Sequence, residues 1–383
     1  MTLFARLLTA AFVLMLASPA YAQVQGTKAR AALVIDVASG AILLEKNADK
    51  PLPPASMSKL MTLFMAFEAL EKGVISMDEK FPVSRHASSM KGSSMFLRQG
   101  EKVSVENLIR GVVVQSGNDA AVVLAELMAG TEEVFAARMN RRAAELGMTN
   151  SSFANATGWP HPKQRMSVRD LATLAELIVT RFPEQYKIFA ETKFTWDNIP
   201  QTNRNPLLGR GLGADGLKTG HTKEAGYGLV ASATRDGRRI IVVVSGLATK
   251  EDRLYEAEQL VQWAFRAFET RQLYKKGQAL AQQANVWLGA TKTVPIAPTR
   301  DVIITAPFGT LDKAQVVLRY DGPIPAPITA GTKIGQIEIR VPDLPPVLVP
   351  VAAAAAVDHG GFMTRVEAVA KILLAEIHPA LAR

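Results

Sequence analysis

The spacing of apolar residues changes several times along the chain, and each change predicts an element. In ARAALVIDVASGAILLEKNAD, residues 29–49, two short apolar runs flank Ser39-Gly40, which predicts two strands joined by a turn. From 57 to 72 the spacing becomes helical, with Leu60, Met61, Phe64, Phe67 and Leu70 on one face and Gly73 as the stop. Leu63 and Met65 widen that face, so the helix is expected to be central and buried. The Ser/Gly-rich stretch 84–95, SRHASSMKGSSM, reads as loop. Further helices are expected at about 104–114, 119–129, 132–146 and 167–181.

Strands return in GADGLKTGHT and EAGYGLVASATRDGRRIIVVVSG, where Asp236-Gly237 signals a hairpin. A long helix at about 250–269 follows. This order predicts an α+β fold, with helices packed on an antiparallel sheet. Composition shifts at Tyr274–Gly277. The runs VWLG, DVIITAPFG, AQVVLRYDG, KIGQIEIRV and PPVLVPV then predict a small, sandwich-like all-β domain over 275–351. Ala352–Ala356 reads as a link. The tail, 359–380, is expected to be an amphipathic helix with Phe362, Val366, Val369, Leu373 and Ile377 on one face.

The first 22 residues carry one early positive charge, Arg6, an apolar run from Leu7 to Ala17, and an Ala20-Tyr21-Ala22 ending. That is the pattern of a signal peptide cleaved after Ala22, and it leaves a first domain over 23–270. The 383 residues contain no Cys, which excludes thiol catalysis and disulfides. Five His lack metal-ligand spacing, so no metal and no other cofactor is expected. The net charge of +9 invites nucleic acid as a partner, but the basic residues are dispersed and no binding motif accompanies them. Nucleic acid is therefore set aside.

Candidate chemistry lies in three short segments. Ser56-Met57-Ser58-Lys59 opens the buried helix, Ser116-Gly117-Asn118 falls between two helices, and Lys218-Thr219-Gly220 lies on a strand. A serine hydroxyl needs a base, and Lys59 lies one helical turn from Ser56. Ser56 itself suits an N-cap, which supplies a helix-end field and a backbone N–H. Burial, that field and a second cation such as Lys218 would each hold Lys59 toward its neutral form. Ser116 is placed to relay a proton to a leaving amine, and Asn118 to hold an amide carbonyl. Lys218 and Thr219 suit an anionic terminus, and an edge strand there would accept a peptide as an added strand. The N–H groups of Ser56 and His221 form a candidate oxyanion hole. A second S-x-x-K, Ser88 to Lys91, falls in the loop, as one or two chance matches should in a chain of this length.

These three motifs in this order, with KGSSMFL, TNRNPLL and DGLKTGHTKEAGYGLVASA, resemble the low-molecular-mass penicillin-binding proteins. The similarity is to the serine D-alanyl-D-alanine carboxypeptidases of the type 5 group, including their β domain and terminal helix. It implies a penicillin-binding/β-lactamase-like transpeptidase fold. It also implies removal of the terminal D-alanine from peptidoglycan stem peptides through an acyl-enzyme on Ser56. Lys59 would then be the base, Ser116 and Asn118 the second motif, Lys218 a substrate-carboxylate contact, and Arg204 a further one. β-Lactams would be covalent inhibitors. The tail would attach the exported enzyme peripherally to the periplasmic face of the inner membrane. Two rivals share the chemistry, an endopeptidase acting on cross-links and a β-lactamase. The second needs a deacylating base, and NATGWPHPKQRMSVRD, residues 155–170, contains no Glu.

Overall fold

The structure is a computed structural model that describes the backbone of residues 26–377, with side chains to residue 370. The expected signal peptide lies outside the described residues. The hairpin β1 (Ala31–Asp36) and β2 (Ile42–Lys46) is followed by α1 (Lys59–Glu71), α2 (Val105–Val114), α3 (Asn118–Ala129), α4 (Glu132–Glu145) and α5 (Val168–Arg181). Then come β3 (Ala214–Thr222), β4 (Gly226–Arg235), β5 (Arg238–Leu247) and α6 (Lys250–Ala267). The five strands form one antiparallel sheet in the order β2-β1-β5-β4-β3.

This sheet is buried on both faces. Ala31, Leu33, Ile35, Ile241 and Val243 join the core of α1 to α5, while Ala32, Val34, Val242 and Val244 pack against Leu260, Val261 and Ala264 of α6. Strict alternation of apolar and polar residues is therefore absent, and β1 is buried at all six positions. α1 is the central helix, as its wide apolar surface predicts, with Leu60, Met61, Leu63, Phe64 and Phe67 fully buried. β3 is an edge strand.

Some elements differ from expectation. Ala55–Ser58 forms a 3₁₀ turn ahead of α1, and neither Pro54 nor Ser58, the residues at the N-cap positions, bonds the helix through its side chain. Ser56 is thus not a capping residue. The stretch 84–95 holds a one-turn helix, Arg85–Ser88, capped by Ser84 Oγ, which accepts from Ala87 N–H. A ribbon pairing Lys193–Trp196 with Ile199–Thr202 was not anticipated.

α6 ends at Ala267 and the next strand, β6 (Phe268–Tyr274), starts at once. It pairs with β9 (Val302–Pro307), which follows β7 (Gln283–Trp287) and β8 (Thr293–Pro298). β10 (Gln315–Tyr320), β11 (Lys333–Arg340) and β12 (Val347–Ala353) complete the β unit. The six-stranded sheet runs β10-β11-β12-β8-β7 and ends on Ile324–Pro325. One apolar cluster, including Ile296, Ile304, Ile337 and Val349, lies between it and the β6–β9 ribbon. Ala352 and Ala353 pair with Ala297 and Ile296, so the expected link begins as the end of a strand. Alanine carries no strand signal of its own, and the pairing partner decides. The two units are tied where Asp36 accepts from Arg238 and Thr270 and Ser39 Oγ meets Thr305 Oγ1.

The terminal helix α7 spans Phe362–Ile377, with Phe362, Met363, Val366 and Val369 exposed. Leu373 and Ile377, also expected on that face, lie beyond the described side chains. Among the described residues no helix is long and apolar enough to cross a membrane.

Candidate active site

The turn Ala55–Ser58 is gripped from two sides, and glycine makes both grips possible. A Cβ on Gly220 would sit 2.7 Å from Pro54 O, and one on Gly158 would sit 2.0 Å from Ala55 O. The first lets β3 close against the turn and the second lets the loop after α4 do so from the other side. Ser56 is held between them at the floor of a cleft of about 550 Å³. Ser93, Ser116, Arg204, Thr219, Gly220, His221 and Arg253 also line it.

Lys59 is fully buried one turn below. Its Nζ donates to Ser56 Oγ at 3.0 Å, Asn118 Oδ1 at 2.6 Å and Thr157 O at 2.6 Å. Burial lowers its pKa to about 7; the positive charge of Arg204 adds to that, and Asp119 and Glu132 oppose it. An amine half neutral near pH 7, bonded to a serine oxygen, is equipped to take that serine's proton.

Asn118 sits at the start of α3, and both ends of its amide are engaged. Oδ1 accepts a hydrogen bond from Lys59 Nζ, while Nδ2 donates to Lys91 O at 2.6 Å. One amide hydrogen is left for a ligand. Ser116, between α2 and α3, adopts φ +66° and its buried Oγ has no hydrogen-bond partner among the described residues. A non-glycine residue in that region is strained, and an unsatisfied hydroxyl aimed at a cleft is poised for a transient partner.

Lys218, Thr219, Gly220 and His221 follow one another on the edge strand β3. Lys218 is 2% exposed and held well below the usual lysine pKa, by burial first and then by the charges of Lys59, Arg204 and Arg253. His221 stacks on Tyr227 with ring centroids 3.9 Å apart. Arg204 is exposed at the rim and donates to Ser93 Oγ at 2.5 Å. The structure thus brings together all nine residues singled out from the sequence. Of the second S-x-x-K, Ser88 does not line the cleft: it ends the one-turn helix and donates to Arg85 O, while Lys91 lends its carbonyl to Asn118.

Two residues escaped the sequence reading. Arg253 of α6 is buried, lies over the Tyr227 ring at 5.6 Å, and leaves its Nε without a partner among the described residues. Among the described residues it has no carboxylate partner, and it lines the cleft. A buried, unpaired guanidinium is costly and calls for an anion. Asp119, next to Asn118, accepts from Met95 N–H, Leu97 N–H and Ser94 Oγ, and so fixes the loop over the site.

Comparison with known proteins agrees with this geometry. The profile of the D-alanyl-D-alanine carboxypeptidase family matches residues 18–249, and that of the penicillin-binding protein 5 C-terminal domain matches 268–359. D-alanyl-D-alanine carboxypeptidase DacC of Escherichia coli is 38% identical, covering 93% of this chain and 92% of the relative. The structure of penicillin-binding protein 5 from Haemophilus influenzae superposes with a TM-score of 0.80 at 35% identity, over 87% of this chain and 98% of that one. Penicillin-binding protein D2 of Listeria monocytogenes, in an ampicillin-bound form, gives a TM-score of 0.58 at 35% identity, over 63% of this chain and 98% of that one. Both profiles match in order, and the Escherichia coli relative spans both units, so the chain belongs to the D-alanyl-D-alanine carboxypeptidase family and carries a C-terminal domain of the penicillin-binding protein 5 type.

Proposed function

We propose that this serine-type D-alanyl-D-alanine carboxypeptidase releases the terminal D-alanine of peptidoglycan stem peptides through an acyl-enzyme on Ser56. The observation that carries the reading is the bond from Lys59 Nζ to Ser56 Oγ by an amine whose pKa is brought to about 7. Neutral Lys59 takes the Ser56 proton as Oγ attacks the carbonyl between the two D-alanines. The N–H groups of Ser56 and His221 hold the oxyanion, and the free Asn118 hydrogen holds the peptide amide. Ser116 Oγ then relays that proton from Lys59 to the departing amine, giving up its own and taking the one on Lys59, and the C–N bond breaks. Water afterwards hydrolyses the ester.

The terminal carboxylate lies among Thr219, Arg204 and Arg253, with Lys218 buried behind them. Arg253→Ala should raise the KM for a peptide ending in D-alanyl-D-alanine by about tenfold to a hundredfold, the value of one charge-assisted hydrogen bond. Amidating that terminus should cost the wild type a similar factor and cost the variant little. Steady-state kinetics on both peptides checks this, and equal losses on acid and amide would contradict it.

β-Lactams acylate the same serine, as the ampicillin-bound relative suggests. Release is slow because the nearby carboxylates are committed. Glu132 accepts from Ala156 N–H and meets His86, and Asp119 is tied to the 94–97 loop.

Residues 1–22 direct export to the periplasm, and α7 rests on the inner-membrane surface through Phe362, Met363, Val366 and Val369. A chain ending at Gly361 should stay in solution when the full mature chain sediments with anionic vesicles. Sedimentation of both would end the anchor reading.

A further inference from the structure

On the side of Ser56 away from Arg253, the cleft continues into a groove of about 180 Å³ lined by Gly92, Ser93, Trp159, Pro160, His221 and Thr222. Trp159 also lines a cavity of about 360 Å³ with His86, Met90, Lys91 and Glu132. The indole therefore stands between the two. It lies against Gly92, where a Cβ would sit 3.1 Å from Trp159 Cζ3. The Trp159 N–H donates to Asn155 Oδ1 and its carbonyl accepts from Asn155 Nδ2. Yet the residue is 44% exposed. A large aromatic with a fixed backbone, open beside a nucleophile, is a platform for ligand surface.

The edge strand supplies the direction. A substrate with its carboxylate beside Thr219 and its carbonyl at Ser56 runs antiparallel to β3, so its upstream residues pass His221 and Thr222. At about 3.4 Å per residue, the residue before the two D-alanines arrives between Thr222 and Trp159. The cavity beyond holds three charged residues. Glu132 spends Oε2 on His86 and Oε1 on Ala156 N–H, each at 2.9 Å. Lys91 lends its carbonyl to Asn118, and its ammonium has no ion-pair partner among the described residues. The uncommitted charge is positive.

We propose that Trp159 and Lys91 form an acyl-side subsite for the stem residue preceding the D-alanines, selecting a long aliphatic side chain that ends in a carboxylate. The methylenes lie along the indole and the carboxylate meets Lys91. Stem peptides carry either a diaminodicarboxylic acid or a lysine at this position, and the two differ by that carboxylate. The inference rests on the substrate direction set by the acyl-enzyme reading above.

The test measures kcat/KM on two muramyl pentapeptides that differ only at this residue, and on N-acetyl-D-alanyl-D-alanine, which lacks it. The mature wild-type chain should prefer the dicarboxylic pentapeptide by about fivefold, as one partly exposed ion pair allows. Lys91→Gln should bring the two pentapeptides within about twofold of each other. Trp159→Ala should lower both pentapeptides about tenfold relative to the dipeptide, with most of the loss restored in Trp159→Phe. Equal wild-type rates on the two pentapeptides, or a preference that survives Lys91→Gln, would overturn the subsite. So would a Trp159→Ala loss shared by all three substrates. A wild-type chain that releases D-alanine from none of the three substrates would instead overturn the acyl-enzyme reading beneath it.

Discussion

Replacing Lys59 with alanine should slow acylation, by peptide and by penicillin alike, by about a hundredfold to ten-thousandfold, the range of a lost general base. No other base touches Ser56 Oγ among the described residues. The wild type should show acylation rising with pH through about 7, where the buried amine loses its proton. The sign follows from the charge: below that value Lys59 is an ammonium and accepts nothing, and above it the free amine does. Lys59→Arg should be as inactive as alanine, since a guanidinium stays charged. Arg204→Gln should move the rising limb to higher pH, because one of the two causes that lower the amine's pKa is removed. Stopped-flow acylation over a pH series reads all of these. An arginine variant of near wild-type rate would refute the role of Lys59.

How much of this was visible in the sequence differs by residue. α1 was legible because Leu60, Met61, Phe64 and Phe67 keep a helical period and Leu63 fills the flank. The strands β1 and β5 are legible as strands, and their continuous apolar runs signal a sheet covered on both faces, but not that α6 supplies the second cover. Ser56, Ser116 and Lys218 stood out only as members of an ordered trio. Arg253 lies in KEDRLYEAEQ, which reads as a charged helix surface, and only its burial without a carboxylate marks it. No spacing rule reports a missing partner.

Asn118 is expected to hold a substrate carbonyl, and one amide hydrogen remains for it, while the rest of the amide holds Lys59 and Lys91 O. That is tertiary information. Gly220 belongs to an ordered motif and Gly158 to none, yet each lets a chain segment close on the turn that bears the nucleophile, a packing role that no motif reports. Ala352 and Ala353 show the converse, a neutral stretch whose pairing partner determines its form.

Ser56→Ala should reduce D-alanine release by about a millionfold, to the floor of most assays, because removing a nucleophile removes the covalent route itself. Ser116→Ala should keep penicillin labelling detectable, since its proposed task is proton transfer to the leaving group. Both variants should fold. Ser56 lies in a turn closed by backbone contacts from Gly158 and Gly220, and the Ser116 hydroxyl bonds nothing among the described residues.

The mature protein is incubated with benzylpenicillin, digested, and each serine-bearing peptide is weighed. A single adduct of one penicillin is expected, on the peptide carrying Ser56, absent from Ser56→Ala and formed more slowly by Lys59→Ala. An adduct on the peptide carrying Ser88 or Ser116, or one that persists in Ser56→Ala, would contradict the account.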